Sequence, residues 1–125
     1  MPGEYLEEVL RNVDEFLDEC RAEGIDVVRS EPTVRREPME LSAQHRLVTT
    51  AENVYSRFRG KPVVANGATF CTDASVFSGE SVIPSIILGP GNIAQVHVPD
   101  EGVDLAEIEA SVGVYYELSW SWFTV

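Results

Sequence analysis

The amino-acid sequence predicts an α/β fold. Three segments carry apolar residues at helical spacing, and three short apolar runs, bounded by Gly, Pro or charged residues, lie between them. No internal repeat or low-complexity tract interrupts this order. At 125 residues the chain can bury a modest core, as one small globular unit does.

Each predicted helix has a stop or start signal. The first helix ends at Gly24. The second has Ser42 as a candidate cap and ends at Gly60. The third begins at Asp104, and Glu107 follows three residues later in the pattern of a capping box. The apolar stripes that define the helices are Tyr5, Leu6, Val9, Leu10, Val13, Phe16, Leu17 and Cys20; then Leu47, Val48, Ala51, Val54, Tyr55 and Phe58; then Ile108, Val112, Tyr116 and Trp120.

The predicted strands are short. They cover residues 25–29, 62–65 and 84–88, and residues 32–38, which begin and end with Pro, form an extended connection. This connection is the natural place for a domain boundary.

The charge balance restricts the partners. The chain has 21 acidic and 9 basic residues, a net charge of -12, and Lys61 as its single lysine. Such a surface repels phosphate backbones and anionic lipids, which excludes nucleic acid and membrane surfaces as partners. The composition fits a protein from salt-rich cytoplasm or a merely acidic one. An acidic N-terminus and the lack of a ~20-residue apolar run predict a cytoplasmic protein. Cys20 and Cys71 are interpreted as ordinary thiols.

The loop after the last predicted strand carries the strongest functional signal. Gly89 and Gly91 allow the positive φ angles of a sharp turn, and His97 follows on the same loop. Loops at strand ends often carry chemistry, and neutral histidine is a common zinc ligand. His97 is therefore a candidate metal ligand. The alternative is a loop histidine that is hydrogen-bonded to Asp100 or Glu101.

The other candidate site residues also have two interpretations. Asp100 and Glu101 either orient the imidazole as carboxylates that do not themselves bind the metal, or interact favourably with the helix dipole near Asp104. Thr72 and Asp73 either orient a substrate or cap the turn that follows. Asn92 and the turn before it either bind a substrate carboxylate or are purely structural. His45 is interpreted as a surface histidine.

Two motifs resemble a known family. The segment 89–101, which reads Gly-Pro-Gly-x-Ile-x-Gln-x-His-x-Pro-Asp-Glu, resembles the C-terminal signature of the metal-dependent amidohydrolases that include acetylornithine deacetylase, succinyl-diaminopimelate desuccinylase, aminoacylase and carboxypeptidase G. The segment 72–74, Thr-Asp-Ala, followed by Phe77, is similar to a second motif of that family. Residues 37–48 resemble more weakly the passage from its lid into its catalytic domain.

The resemblance implies a domain organisation. Residues 1–31 would be the last helix and strand of a ferredoxin-like lid, through which these enzymes dimerise. Residues 32–125 would be the C-terminal part of a zinc-exopeptidase-like catalytic domain.

The resemblance also implies a function in amino-acid metabolism. Such enzymes use two metal ions, zinc or cobalt, to hydrolyse the amide bond of N-acyl amino acids, and His97 matches their C-terminal metal ligand. The other ligands and the general base come from a His-x-Asp motif, a bridging Asp and a Glu-Glu pair. None has a counterpart here, because the chain holds only His45 and His97, and its Glu7-Glu8 pair lies on the wrong side of the sequence.

Three functions follow from this comparison. The first is a C-terminal fragment of an acetylornithine-deacetylase-like hydrolase, inactive and without tightly bound metal when alone, whose partner is the missing N-terminal part or a second copy. The second is one half of a split enzyme. The third is a degenerate relative that serves as a binding or interaction module.

Overall fold

The computed structural model describes residues 5–79 and 83–124, and the regular secondary structure of these residues is helical, with irregular segments between the helices. Helix α1 spans Leu6–Ala22, α2 Arg46–Arg59, α3 Ala74–Gly79 and α4 Leu105–Phe123, with a 3-10 turn at Ile93–Gln95. The apolar stripes predicted α1, α2 and α4, and all three are confirmed. The short helix α3 was not predicted. None of the described helices is long and apolar enough to cross a membrane.

The chain divides into two compact units. The first draws on Met1–Glu40 and Thr69–Pro84, and the second on Leu41–Ala68 and Ser85–Val125. Helices α1 and α3 belong to the first unit, while α2, the 3-10 turn and α4 belong to the second. The domain boundary between residues 31 and 32 stays a prediction.

The three predicted strands are absent, and no β-strand occurs in the part of the chain that the structure describes. A strand needs a neighbouring strand for its backbone groups, and here side chains take that place. The N–H of Val63 donates to Ser56 Oγ at 2.8 Å, and the N–H of Ala65 to Glu52 Oε1 at 2.8 Å. In each of the other two segments, a backbone carbonyl accepts a hydrogen bond from a side chain, from Arg21 in residues 25–29 and from Tyr115 in residues 84–88. The α/β class and the ferredoxin-like lid are therefore unconfirmed.

In the first unit, the chain turns at the end of α1 and returns along it. The turn is a Schellman motif, in which Gly24 has φ +85° and the N–H of Ile25 donates to the carbonyl of Cys20 at 3.0 Å. The guanidinium of Arg29 then binds the carboxylate of Asp14 through two hydrogen bonds of 2.7 and 3.0 Å. These contacts confirm Gly24 as the stop signal.

The apolar stripe of α1 is only partly covered by the described residues. None of residues 6–22 is buried, and Phe16 is 62% exposed. An amphipathic helix normally buries such a stripe, which is the main source of its stability in a folded protein. The apolar face of α1 thus lacks the contacts that its sequence predicts.

The core of the second unit lies between α2 and α4. Its buried apolar side chains are Val48, Ala51 and Val54 from α2 and Val114 from α4. The two helices run antiparallel, since Arg46 at the start of α2 contacts the end of α4. Its guanidinium donates to the carbonyl of Trp122 at 2.7 Å and lies 4.5 Å from the centre of the Trp122 ring.

The start of α2 differs from the prediction. His45, not Ser42, is the N-cap, and its Nδ1 accepts a hydrogen bond from the N–H of Leu47 at 3.1 Å. Ser42 instead bonds locally to Gln44. His45 is half-buried, so its interpretation as a plain surface histidine was wrong. Gly60, with φ +64°, ends the helix as predicted.

Removing this cap tests its role. We expect His45→Ala to lower the free energy of unfolding by about 1 kcal/mol, because one N–H of the first helical turn loses its acceptor. His45→Asn should restore most of the loss, since Asn is a good N-cap with a side-chain oxygen. Thermal melting followed by circular dichroism measures both variants. Equal stability of the alanine and asparagine variants would contradict the capping role.

Candidate functional site

The loop that carries His97 lies in the second unit, directly before α4. It opens with the turn at residues 89–91, where Gly91 has φ +94°, as the sequence predicted for a glycine in this turn. A Cβ on Gly91 would lie 3.3 Å from Cγ2 of Val103, so the two ends of the loop lie close together. Asn92 follows, and its Oδ1 accepts from the N–H of Ala94 at 3.0 Å. The Asn92 side-chain oxygen is thus used to start the 3-10 turn.

His97 is exposed and has φ +62°, a left-handed backbone that non-glycine residues rarely adopt. Its N–H donates to Glu101 Oε2 at 3.1 Å. The carboxylate of Glu101 therefore holds the backbone of His97. No hydrogen bond from the imidazole to Asp100 or Glu101 occurs among the described residues, so the bond to Glu101 that this alternative for His97 predicts is made by the backbone N–H and not by the side chain.

The residues after His97 form a tight turn. The N–H of Glu101 donates to the carbonyl of Val98 at 3.2 Å, with Pro99 and Asp100 between them. Asp100 has φ +61°. Proline in the second position and a positive φ in the third are typical of a type II turn. The exposed side chain of Asp100 thus sits on a turn that its own backbone helps to form.

An open depression of about 480 Å³ lies beside this loop. Its lining comes from both ends of the loop: Pro90, Gly91, Asn92, Gln95, Glu101, Gly102 and Val103. Two of the predicted site residues, Asn92 and Glu101, share this depression. His97 does not line it.

Glu107, in the first turn of α4, connects the loop to the helices. Its Oε2 accepts from the N–H of Gly91 at 2.7 Å, and its Oε1 accepts from Arg59 Nη1 at 3.1 Å. Asp104 caps α4 as predicted, with Oδ1 accepting from the N–H of Ala106 at 2.9 Å. The capping box was wrong, however, because the Glu107 carboxylate is used by the loop and Arg59. First the Gly91 N–H and then the Arg59 guanidinium hold the pKa of Glu107 below its usual range.

Thr72 and Asp73 lie in the first unit and precede α3. Thr72 Oγ1 accepts from the N–H of Ala74 at 3.3 Å, and the Thr72 carbonyl accepts from Ser75 Oγ at 2.8 Å. Asp73 contributes its carbonyl to the first turn, accepting from Val76 at 3.0 Å. The threonine hydroxyl, rather than the Asp73 carboxylate, thus supports the helix start. The exposed Asp73 carboxylate has no hydrogen bond to a described residue.

The residues present do not form a metal site by themselves. Within residues 5–79 and 83–124, no three His, Cys, Asp or Glu side chains come together. Zinc takes three or four protein ligands in its catalytic and structural sites. A zinc site that included His97 would therefore need further ligands from outside the described residues.

Sequence reasoning missed two contributors to the loop. Arg59 was not singled out, and Glu107 was interpreted as part of a local cap. A Glu three residues after an N-cap gives the same sequence signal in either case, so only the tertiary contact with Gly91, 16 residues away, distinguishes them.

Comparison with known proteins identifies relatives over most of the chain. The family model described as Peptidase family M20/M25/M40 matches residues 8–121. No solved structure matches the chain.

Individual relatives match a shorter part. Acetylornithine deacetylase of Pectobacterium atrosepticum is 36% identical over 70 residues, which are 56% of this chain and 16% of that protein. The acetylornithine deacetylases of Proteus mirabilis and Erwinia tasmaniensis are 33% and 37% identical over the same shares. The matched segment thus spans about a sixth of each relative's length.

Proposed function

The chain belongs to peptidase family M20/M25/M40, and from this membership we propose that it is the C-terminal part of a metal-dependent amide hydrolase that acts on N-acyl amino acids. Its relatives named acetylornithine deacetylase favour an acetylated amino acid as substrate. In this proposal His97 is a metal ligand, for zinc or cobalt, and the remaining ligands come from the N-terminal part of the enzyme. Residues 1–31 are the end of the lid and residues 32–125 belong to the catalytic domain.

The conformation of His97 carries the proposal. A positive φ in a non-glycine residue costs about 1–3 kcal/mol, and such residues concentrate at functional sites. At residue 97 the bond to Glu101 and the following turn maintain this backbone. The imidazole is exposed and makes no hydrogen bond to a described residue, so a ring nitrogen is free to bind a metal.

The remaining site residues receive roles from their positions. Glu101, together with Asp100 in the turn, supports the His97 backbone. Asn92 keeps its side-chain amide nitrogen available beside the depression, where it can donate to a substrate carboxylate. Asp73 is exposed, with an unpaired carboxylate among the described residues, and Thr72 orders the backbone next to it.

A second candidate function is supported by α1. The exposed part of its apolar stripe, which includes Phe16 at 62% exposure and Tyr5, just before the helix, at 72%, is a surface on which another polypeptide can pack. This favours either a split enzyme or a degenerate relative that acts as an interaction module. The two candidates differ in whether the assembly hydrolyses an amide bond.

The experiment compares the chain alone with a reconstituted sample. Sequencing the DNA upstream of the reading frame identifies the polypeptide with the His-x-Asp, bridging Asp and Glu-Glu motifs, and the two are co-expressed. We expect the chain alone to bind zinc weakly in calorimetry, to hydrolyse no N-acetylornithine, and to self-associate in sedimentation through its exposed apolar surface. The co-expressed sample should form a complex, bind zinc tightly and hydrolyse the substrate.

Two results would contradict the proposal. Stoichiometric zinc binding or turnover by the chain alone would show that its own carboxylates and thiols complete the site. A complex that forms but neither binds zinc nor turns over would favour the interaction module.

A further inference from the structure

The chain holds its candidate loop at both ends, and one side chain accounts for the first attachment. The turn at residues 89–91 is tied to α4 by the Glu107 carboxylate, while the loop's far end runs through Val103 into the Asp104 cap of the same helix. His97 lies between these two attachments.

We infer that Glu107 is a positioning residue for His97: its carboxylate fixes the Gly91 end of the loop to the α2–α4 pair, and so sets where the imidazole is presented. This inference rests on the proposed function in that it takes His97 as the functional group. Glu107 does not contact His97, and its effect passes through the backbone of residues 91–97.

The geometry favours this role over a local one. In a capping box, the Glu107 carboxylate would accept a hydrogen bond from the N–H of Asp104, which is a local contact within the first turn of one helix. Instead both carboxylate oxygens reach other parts of the unit, Gly91 at 2.7 Å and Arg59 at 3.1 Å. Hydrogen bonds to a charged acceptor are about twice as strong as neutral ones, so this carboxylate is an effective anchor for a loop that has no regular structure beyond one 3-10 turn.

The partner on α2 orients the anchor. Arg59 also donates from Nη2 to the hydroxyl of Tyr55 at 3.3 Å, and its guanidinium lies 5.3 Å from the centre of the Tyr55 ring. Tyr55 and Arg59 are one helical turn apart, so the guanidinium is held from its own helix as it reaches Glu107. Arg59 thereby holds the Oε1 atom of Glu107, and the Oε2 atom remains to accept the hydrogen bond from the Gly91 N–H.

Glycine at position 91 explains why an anchor is needed. With φ +94°, Gly91 uses a conformation open to glycine, and glycine also loses the most conformational freedom on ordering. Without the Glu107 bond, this end of the loop would keep only the bond from the Tyr115 hydroxyl to the Leu88 carbonyl, just before the turn, and the proximity of Gly91 to Val103. The carboxylate therefore selects one of the many conformations that the turn can adopt.

The test uses nuclear magnetic resonance on the full 125-residue chain without metal. We expect Glu107→Ala to speed exchange of the Gly91 amide hydrogen by at least about tenfold, as loss of one hydrogen bond to a charged group does. The backbone and imidazole signals of His97 should shift and broaden in the same variant. Glu107→Gln should recover part of both effects, because the amide oxygen can still accept from Gly91.

Two matched variants separate positioning from general stability. Arg59→Ala removes the ion pair but keeps the acceptor for Gly91, so it should lower the melting temperature and speed exchange of the Gly91 amide much less than Glu107→Ala does. Glu109→Gln removes the same charge from α4 at an exposed carboxylate, and should change neither signal. Unchanged His97 signals in Glu107→Ala, or equal loop changes in Arg59→Ala and Glu107→Ala, would overturn the inference.

The proposed function is judged separately. Zinc binding and hydrolysis by the co-expressed sample test whether His97 is a ligand at all. If that sample is inactive while Glu107→Ala still releases the loop, the proposed function fails and the loop inference stands. If the sample is active and the loop is unaffected by Glu107→Ala, the loop inference alone fails.

Discussion

In molar potassium chloride the chain will melt at a much higher temperature than in dilute buffer. With 21 acidic and 9 basic residues, the chain carries a net charge of -12, and its carboxylates outnumber the cations that could pair with them. At 1 M salt the Debye length falls to about 3 Å, so repulsion between exposed charges is almost fully screened. Circular dichroism melting in the two buffers measures the shift.

Screening also weakens the attractive pairs, but these contribute less. Arg11 pairs with Glu8 and Glu15 on α1 at 3.7 and 3.8 Å, with side chains more than half exposed. Exposed pairs of this kind contribute about 0–1 kcal/mol each. The excess of twelve negative charges acts over the whole chain, so the loss of repulsion outweighs the loss of a few weak pairs.

A charge variant provides the control. The side chains of Glu19, Glu23, Asp26 and Glu109 are exposed and make no ion pair or hydrogen bond with any described residue. Converting all four to their amides removes repulsion without removing a contact. This variant should melt higher than the parent in dilute buffer and gain less from salt. A midpoint that stays flat or falls with salt in the parent chain would count against a salt-adapted protein.

The second large effect concerns His97 in the reconstituted enzyme. Replacing His97 by Asn should reduce hydrolysis at least about 100-fold, since loss of even an indirect support of a metal ligand costs 10–100-fold. Asparagine is the matched choice because it tolerates the positive φ at this position better than most residues. Zinc affinity and hydrolysis rate are measured on the same sample.

Folding should respond little to the same change. His97 is exposed, and only its backbone N–H has a partner, Glu101, which the substitution leaves in place. The chain alone should therefore melt at nearly the same temperature as the parent, and His97→Ala should behave similarly. Undiminished hydrolysis by His97→Asn would remove this residue from the metal site.

The helices could be predicted from the sequence, whereas the strands could not. Helices α1, α2 and α4 each form their backbone hydrogen bonds within a single segment. The periodicity of their apolar residues and stop signals such as Gly24 and Gly60 therefore suffice to locate them. A strand depends on a partner that periodicity does not reveal. The apolar run at residues 62–65 has strand-like composition, yet its amides bond to α2.

For the candidate site, the sequence indicated the loop but not its attachments. Glycine at position 91 predicted the first turn, because glycine permits a positive φ. The second turn, from Val98 to Glu101, was not predicted. The use of His45 as a cap and of Glu107 as a loop anchor depends on which groups tertiary folding brings within reach. His97 itself was found through the residues around it, and its role as a ligand stays a prediction.

The bonds from Ser56 and Glu52 to the segment after α2 have a consequence for solubility. Val64 is 76% exposed between two amides, at Val63 and Ala65, that would otherwise face outwards as an open edge. Such an edge invites identical chains to join in cross-β stacks. With every second amide already occupied by a side chain, the segment offers little template for fibril growth, and the negatively charged Glu52 further repels an incoming copy.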